Sequence, residues 1–413
     1  MIRTICAVVI TAMLAGCTGQ RLADAPPEDR YELAVPPGFP PSIRFYGDKV
    51  PDGIDTRFTT IHAQLSARIE REGEFPNGGA ADILTLSGGG SDGAYGAGLL
   101  NGWTRRGGRP EFALVTGIST GALIAPLAFL GSSQDCKLEN LYTNLSTDDL
   151  VITQIFKALT GGALGLSGGG ALAQRIQDVL DPPTLDRIAE EHGKGRRLWI
   201  GTTNLDAQRP VVWDIGAIAS SGHPNRQALI RDVLLASASI PGVFPPVEIV
   251  VELDGQRYAE MHMDGGVTRQ IFFLPVRIDL QDRLEGGPDR LQSGTIYALR
   301  NTKLDPDYEA VVPSLVDIAG RSVSTLIKSA GVSDILVIEG QARANDFGLQ
   351  VTSVPGDFDV PETEFFDPTY MRALFDVGFQ SALQGSAWNT VIEASAVPDA
   401  GSLAPPTDAT ACD

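Results

Sequence analysis

From residue 82 onward the chain alternates short apolar runs with glycine-rich turns and longer mixed segments. Ile83-Leu84-Thr85-Leu86 is short and apolar enough for a buried strand, and it enters the cluster Gly88-Gly89-Gly90-Ser91-Asp92-Gly93. Gly93 to Trp103 then predicts a helix, small residues first and Leu99-Leu100 later. Phe112 to Val115 predicts a second strand, followed by Gly117-Ile118-Ser119-Thr120-Gly121 and an apolar helix over Ala122 to Leu130. Leu198 to Thr203, Pro210 to Ile215 and Tyr258 to Met263 read as further strands, and Asp232 to Ser239 as a helix ended by Ile240-Pro241-Gly242. Residues 300–350 mix helical stretches with charges. Tyr370 to Gln384 sets Leu374, Phe375, Val377, Phe379 and Leu383 at helical spacing. Strand, glycine turn and helix, repeated, predict an α/β fold with a mostly parallel sheet covered on both faces.

The region before this domain has a different character. Asp55 to Glu70 carries Ile61, Leu65 and Ile69 four residues apart, which predicts one amphipathic helix. Cys17 to Pro51 is rich in Pro, Asp and Glu and reads as a tether with turns. Met1-Ile2-Arg3 followed by apolar Thr4 to Gly16 has the form of a secretory signal, shorter than the ~20 residues of a membrane-spanning helix. It ends Leu14-Ala15-Gly16-Cys17, which resembles a bacterial lipobox. That resemblance implies cleavage before Cys17, lipidation of Cys17, and anchorage of an extracytoplasmic protein to a membrane of the bacterial cell envelope. The expected organisation is a signal peptide over 1–16, a lipidated tether and helix over 17–80, the α/β domain over 81–395 and a tail over 396–413.

Cys6 leaves with such a signal, and Cys136 and Cys412 remain as a possible disulfide in an oxidising compartment. Between the two halves, Leu150 to Gly170 is apolar and then glycine-laden, which suits a loop or a mobile flap.

A net charge of −19 over 413 residues argues against nucleic acid, whose phosphates need Lys and Arg, and against docking through a polybasic patch. There is no metal-type Cys/His cluster and no complete phosphate loop, so no metal and no cofactor are expected.

The chemistry concentrates in three segments. In Gly117-x-Ser119-x-Gly121, between strand and helix, the glycines allow a sharp turn that lifts the serine hydroxyl out of the sheet. The helix that follows points its positive end at developing negative charge. Gly88, Gly89 and Gly90 can aim backbone N–H groups at an oxyanion, the interaction whose loss costs about 100- to 1000-fold in acyl transfer. The competing reading, a phosphate-binding turn, lacks the Lys-Ser/Thr of nucleotide loops.

A serine also needs a base. Only His62, His192, His223 and His262 exist, and none follows the Asp264-Gly265-Gly266 turn. A nucleophile–acid–histidine order could use Asp206 or Asp214 with His223 or His262, but it leaves Asp-Gly-Gly without a role. His62 and His192 read as solvated surface. An Asp-Gly pair alone is usually a turn; its company with the other two segments points to Asp264 as the partner of Ser119.

With these residues the chain resembles the patatin-like phospholipases over roughly residues 82 to 300. The resemblance implies a three-layer α/β/α fold and a Ser–Asp dyad of Ser119 and Asp264. It also implies an oxyanion loop of Gly88, Gly89 and Gly90, an elbow framed by Gly117 and Gly121, and the turn residues Gly265 and Gly266. Thr202-Thr203-Asn204-Leu205-Asp206 and the run Ala236 to Pro245 look familiar in the same sense. The chain departs from the family at Asp92, where the loop often carries Arg or Lys. An acid there favours neutral esters over phospholipid.

The expected function is therefore hydrolysis of lipid carboxylic esters by a serine acyl hydrolase needing no cofactor, with a lipid or ester as its substrate and no nucleic acid partner. A Ser–His–Asp esterase, or an envelope lipoprotein that only binds lipid or protein, stands as the alternative.

Overall fold

The computed structural model describes residues 21–72, 80–144, 171–241, 243–275, 292–364 and 366–392. Residues 1–20, with the signal segment and Cys17, lie outside it, as do the Leu150–Gly170 segment and the tail with Cys412.

The described chain opens with β1 (Arg44–Tyr46) and α1 (Ile54–Glu72), then runs through β2 (Ala80–Leu86), α2 (Gly93–Arg106), β3 (Leu114–Ile118) and α3 (Thr120–Leu130). Helices α4 (Asp135–Thr143), α5 (Ala171–Val179) and α6 (Pro182–Gly193) lead to β4 (Arg197–Asn204) and β5 (Arg209–Asp214). After α7 (Ile215–Ser220) and α8 (Arg226–Ser237) come the hairpin β6 (Val247–Leu253) and β7 (Gln256–Asp264), then β8 (Gln292–Lys303). The chain closes with α9 (Leu315–Ala344), β9 (Gly348–Val354), α10 (Pro368–Gln384) and β10 (Asn389–Ile392).

The strands form one sheet in the order β1-β5-β4-β3-β2-β8-β9-β10, with β7 branching from β4 and β6 from β7. The pairs β4/β3, β3/β2, β2/β8 and β8/β9 are parallel, and the outer pairs are antiparallel. Alternation along the strands splits the core in two. Leu84, Leu86, Val115, Leu198 and Ile200 pack with helices α2, α3 and α8 on one face. Ile83, Leu114, Ile118, Trp199 and Ile296 pack with Ile54 of α1 and Ile338 of α9 on the other. Two helical layers around a mostly parallel sheet make the expected three-layer α/β/α architecture.

The region after residue 20 is not a loose tether. Ala34, Ile43, Phe45 and Tyr46 are buried, β1 pairs antiparallel with β5, and Val35 bridges Glu252. Arg44 runs inward to a buried ion pair with Glu260 at 2.5 Å, and its guanidinium also donates to the Ala34 carbonyl. The Pro- and acid-rich composition hid a strand whose three residues are all buried. Residues 300–350 also differ from expectation. They hold the end of β8, the single 30-residue helix α9 and the start of β9. Helix α8 starts six residues earlier than its apolar pattern suggested, and β3 ends three residues later, at the elbow itself.

Among the described residues, no helix is long and apolar enough to cross a membrane. No cluster of His, Cys, Asp and Glu there could hold a metal.

Candidate active site

The register of β4 brings the two distant segments together. Its first half pairs with β3, ending at Gly201 opposite Ile118. Its last residues pair with β7, with Thr202 opposite Asp264. Ile118, the residue before Ser119, and Asp264 thus face consecutive positions along β4. A side chain at Gly265 would put its Cβ 2.5 Å from the Gly201 carbonyl, so the turn after Asp264 must lie flat on β4.

Ser119 occupies φ 54°, ψ −124°, a conformation that L-residues rarely adopt and that costs roughly 1–3 kcal/mol. The surrounding packing enforces it. A Cβ at Gly117 would fall 2.5 Å from the Gly121 carbonyl, and one at Gly121 would fall 2.5 Å from the Leu86 carbonyl. Only hydrogen fits at either position. The Ser119 amide donates to the Ser237 hydroxyl at 3.0 Å, and Ser237 donates to the Gly201 carbonyl at 2.7 Å. Tyr142 of α4 donates to the Thr120 carbonyl at 2.9 Å, which braces the start of α3.

Asp264 is buried, and its carboxylate accepts from the Gly266 amide at 2.7 Å. Desolvation pushes its pKa up to about 6, against the opposing pull of a side-chain hydrogen bond with Ser119 and of the Gly266 amide. A carboxylate so tuned and facing a hydroxyl is suited to take a proton near neutral pH.

The glycine cluster lies against this pair. A Cβ at Gly88 would come 3.1 Å from the Ser119 Cβ, and one at Gly89 would strike the Asn301 carbonyl at 2.6 Å. The Gly88 amide already donates to the Gln270 carbonyl at 3.1 Å. Gly88 therefore leaves room beside the serine and is not itself an oxyanion donor, contrary to its expected share in that role. Gly89 and Gly90 begin the 3-10 turn Gly90–Asp92, where amides have no carbonyl of their own helix to bond. They are the donors this loop can offer. Asn301, at the end of β8, fixes the loop by donating from its amide to the Ser87 hydroxyl and from Nδ2 to the Ser87 carbonyl, both at 2.8 Å.

The histidines are occupied elsewhere. Buried His262 bonds Thr202 at 2.9 Å and Glu260 at 3.1 Å, and burial lowers its pKa. His223 packs on Phe39 with ring centroids 4.4 Å apart. His192 is not the solvated residue the sequence suggested: it is half-buried, 3.5 Å from Asp214, in a cavity of about 800 Å³ that Ser119 does not line. His62 is half-buried on α1. Asp206 pairs with Arg21 at 2.6 Å, and Asp214 caps α7 through the Ala217 amide at 2.9 Å.

Asp92 behaves differently from a free acid. Its carboxylate accepts from the Tyr370 hydroxyl at 2.5 Å, and desolvation pushes its pKa up to about 7. Cys136 is disulfide-bonded; Cys412, its expected partner, lies outside the described residues.

Sequence reasoning missed Ser237 and Asn301. Ser237 stood in a run noted only as familiar, and nothing local marks Asn301 as an anchor of a loop more than two hundred residues upstream.

A strained serine elbow on a mostly parallel sheet, beside a buried carboxylate and a glycine-rich loop, is an arrangement suited to acyl hydrolysis. Residues 84–277 match the model of the family described as Patatin-like phospholipase. That match covers just under half of the chain and marks residues 84–277 as a patatin-like phospholipase domain, in keeping with a hydrolase of lipid ester bonds. No curated protein matches the chain. Among solved structures it is similar to VipD from Legionella pneumophila, 14% identical with a TM-score of 0.38, covering 75% of this chain and 67% of that one. It is also similar to a chain in the full-length SpcU complex with full-length ExoU from the type III secretion system of Pseudomonas aeruginosa. That likeness is 14% identical with a TM-score of 0.32, covering 77% of this chain and 55% of that one.

Proposed function

We propose that the chain is a lipid acyl hydrolase working through a Ser119–Asp264 dyad, with Gly89 and Gly90 as oxyanion donors. The observation that carries this reading is the strained Ser119 set against a buried Asp264 whose pKa is held at about 6. Asp264 takes the hydroxyl proton as Ser119 Oγ bonds to the ester carbonyl carbon. The carbonyl oxygen gains the negative charge and is held by the two amides. Collapse breaks the bond to the leaving oxygen, which receives the proton from Asp264. Water then repeats the sequence on the acyl-serine, giving up its proton to Asp264 and releasing the fatty acid and free Ser119.

The histidine-based alternative loses support because His262 and His223 have other partners. Cys17, by its lipobox, is proposed as the lipidated residue that holds the domain at an extracytoplasmic membrane surface of the cell envelope.

The test is a fluorophosphonate probe on purified protein together with a panel of lipid and short-chain esters. Ser119 should be the labelled residue, and Ser119→Ala should lose both labelling and hydrolysis. Undiminished hydrolysis by Ser119→Ala would refute the reading.

A further inference from the structure

Arg300 is buried, at 1% exposure, yet its Nε and Nη1 have no hydrogen-bond partner. Burying a guanidinium without an acceptor is costly, so such a group signals an absent ligand or a strained site. Its surroundings point to a ligand. Arg300 lines a cavity of about 750 Å³, together with Lys303, Arg321 and Lys328. The other three cations have partners: Lys303 meets Asp307 at 3.7 Å, Arg321 meets Glu309 at 3.3 Å, and Lys328 donates to the Asp305 carbonyl. Among the described residues, no carboxylate forms an ion pair with Arg300; Asp92 and Asp334 act on it only at longer range.

The cavity also adjoins the site. Asp92, the last residue of the turn that starts at Gly90, lines it, and so do Arg300 and Thr302 on either side of the loop anchor Asn301. The acidic wall groups are Asp92, Asp307, Asp359 and Glu362. Of these, Asp92 is bonded to Tyr370 and raised to a pKa of about 7, and Asp307 already faces Lys303.

We infer that the cavity beside the oxyanion loop is an anion subsite in which Arg300 receives a phosphate group, the phosphodiester of a glycerophospholipid being the source that suits an acyl hydrolase. A tetrahedral, multiply accepting anion matches several N–H donors on adjacent cations better than a single carboxylate does. The inference rests on the dyad reading for its substrate but not for the anion site itself.

Two variants test it. Arg300→Gln removes the charge. Gly331→Ala keeps it but displaces it, because a Cβ at residue 331 would fall 1.5 Å from Arg300 Nη1. The readout is the ratio of kcat/KM on phosphatidylcholine vesicles to kcat/KM on p-nitrophenyl butyrate. Alongside it, the thermal midpoint of the Ser119→Ala protein is measured with and without inorganic phosphate. A lost charge-assisted bond lowers the ratio by roughly 10- to 100-fold in Arg300→Gln, with a smaller fall in Gly331→Ala.

If the ratio holds, but phosphate raises the midpoint only while Arg300 is present, the site is real and its occupant is free phosphate. A ratio within twofold of wild type, with no Arg300-dependent phosphate shift, overturns the proposal. Wild-type protein that hydrolyses neither substrate yet keeps the phosphate shift refutes the dyad and leaves the anion site standing.

Discussion

The Ser119 amide donates to the Ser237 hydroxyl at 3.0 Å, tying the elbow to the end of α8. Ser237 passes the bond on to the Gly201 carbonyl at 2.7 Å, so one buried hydroxyl joins β4, the elbow and the helix. Ser237→Ala leaves a buried donor and a buried acceptor unmatched, a loss of about 1–3 kcal/mol for each. The expected result is a lower melting temperature and a reduced kcat with little change in KM. Unchanged melting and kcat would show that the elbow does not depend on this link.

The pH dependence follows from two raised carboxyls. Asp264, at about 6, must be ionised to accept a proton, so kcat/KM should rise with pH through about 6 and level above it. Asp92, at about 7, is not part of the dyad, so Asp92→Asn should leave that limb in place. The stability effect has a definite sign. Both groups bind protons more tightly folded than unfolded, so each lowers stability as pH rises from about 4 through its folded value. Asp92→Asn should therefore melt higher than wild type at pH 8 and no higher at pH 4. Thermal melts across that range decide it.

The histidines separate a dyad from a triad. His223→Ala should hydrolyse short esters at a near wild-type rate, because the ring only packs on Phe39 and accepts from the Asn225 amide. His262→Ala should lose stability, because Thr202 and Glu260 lose a buried partner, while fluorophosphonate still labels whatever remains folded. A loss of activity beyond about 100-fold in folded His223→Ala would favour a histidine base.

The buried Arg44–Glu260 pair makes the N-terminal region part of the domain. Arg44→Met strands Glu260 and should cost about 3–5 kcal/mol, read as a shift in the denaturation midpoint with an unchanged slope. A variant as stable as wild type would return the region to the status of a tether.

Much of the site was legible in sequence because strained turns have few chemical solutions. Glycines at 117 and 121 are demanded by carbonyls less than 3 Å from where a Cβ would sit, and that demand is written locally. The strands β8, β9 and β10 were less legible, since their pairing is set by partners over 200 residues away or by segments without clear alternation. The silence of the Gly88 amide was equally hidden, because its acceptor is the Gln270 carbonyl. Arg300 in isolation looks like an ordinary charge after a strand; only burial without a partner gives it meaning.

The most direct test of the dyad is kcat for Asp264→Asn on a short-chain ester, with folding verified by its melt. Asn keeps the shape and can still accept from the Gly266 amide but cannot take the Ser119 proton, so kcat should fall by about 100- to 10,000-fold. A kcat within tenfold of wild type would contradict the account.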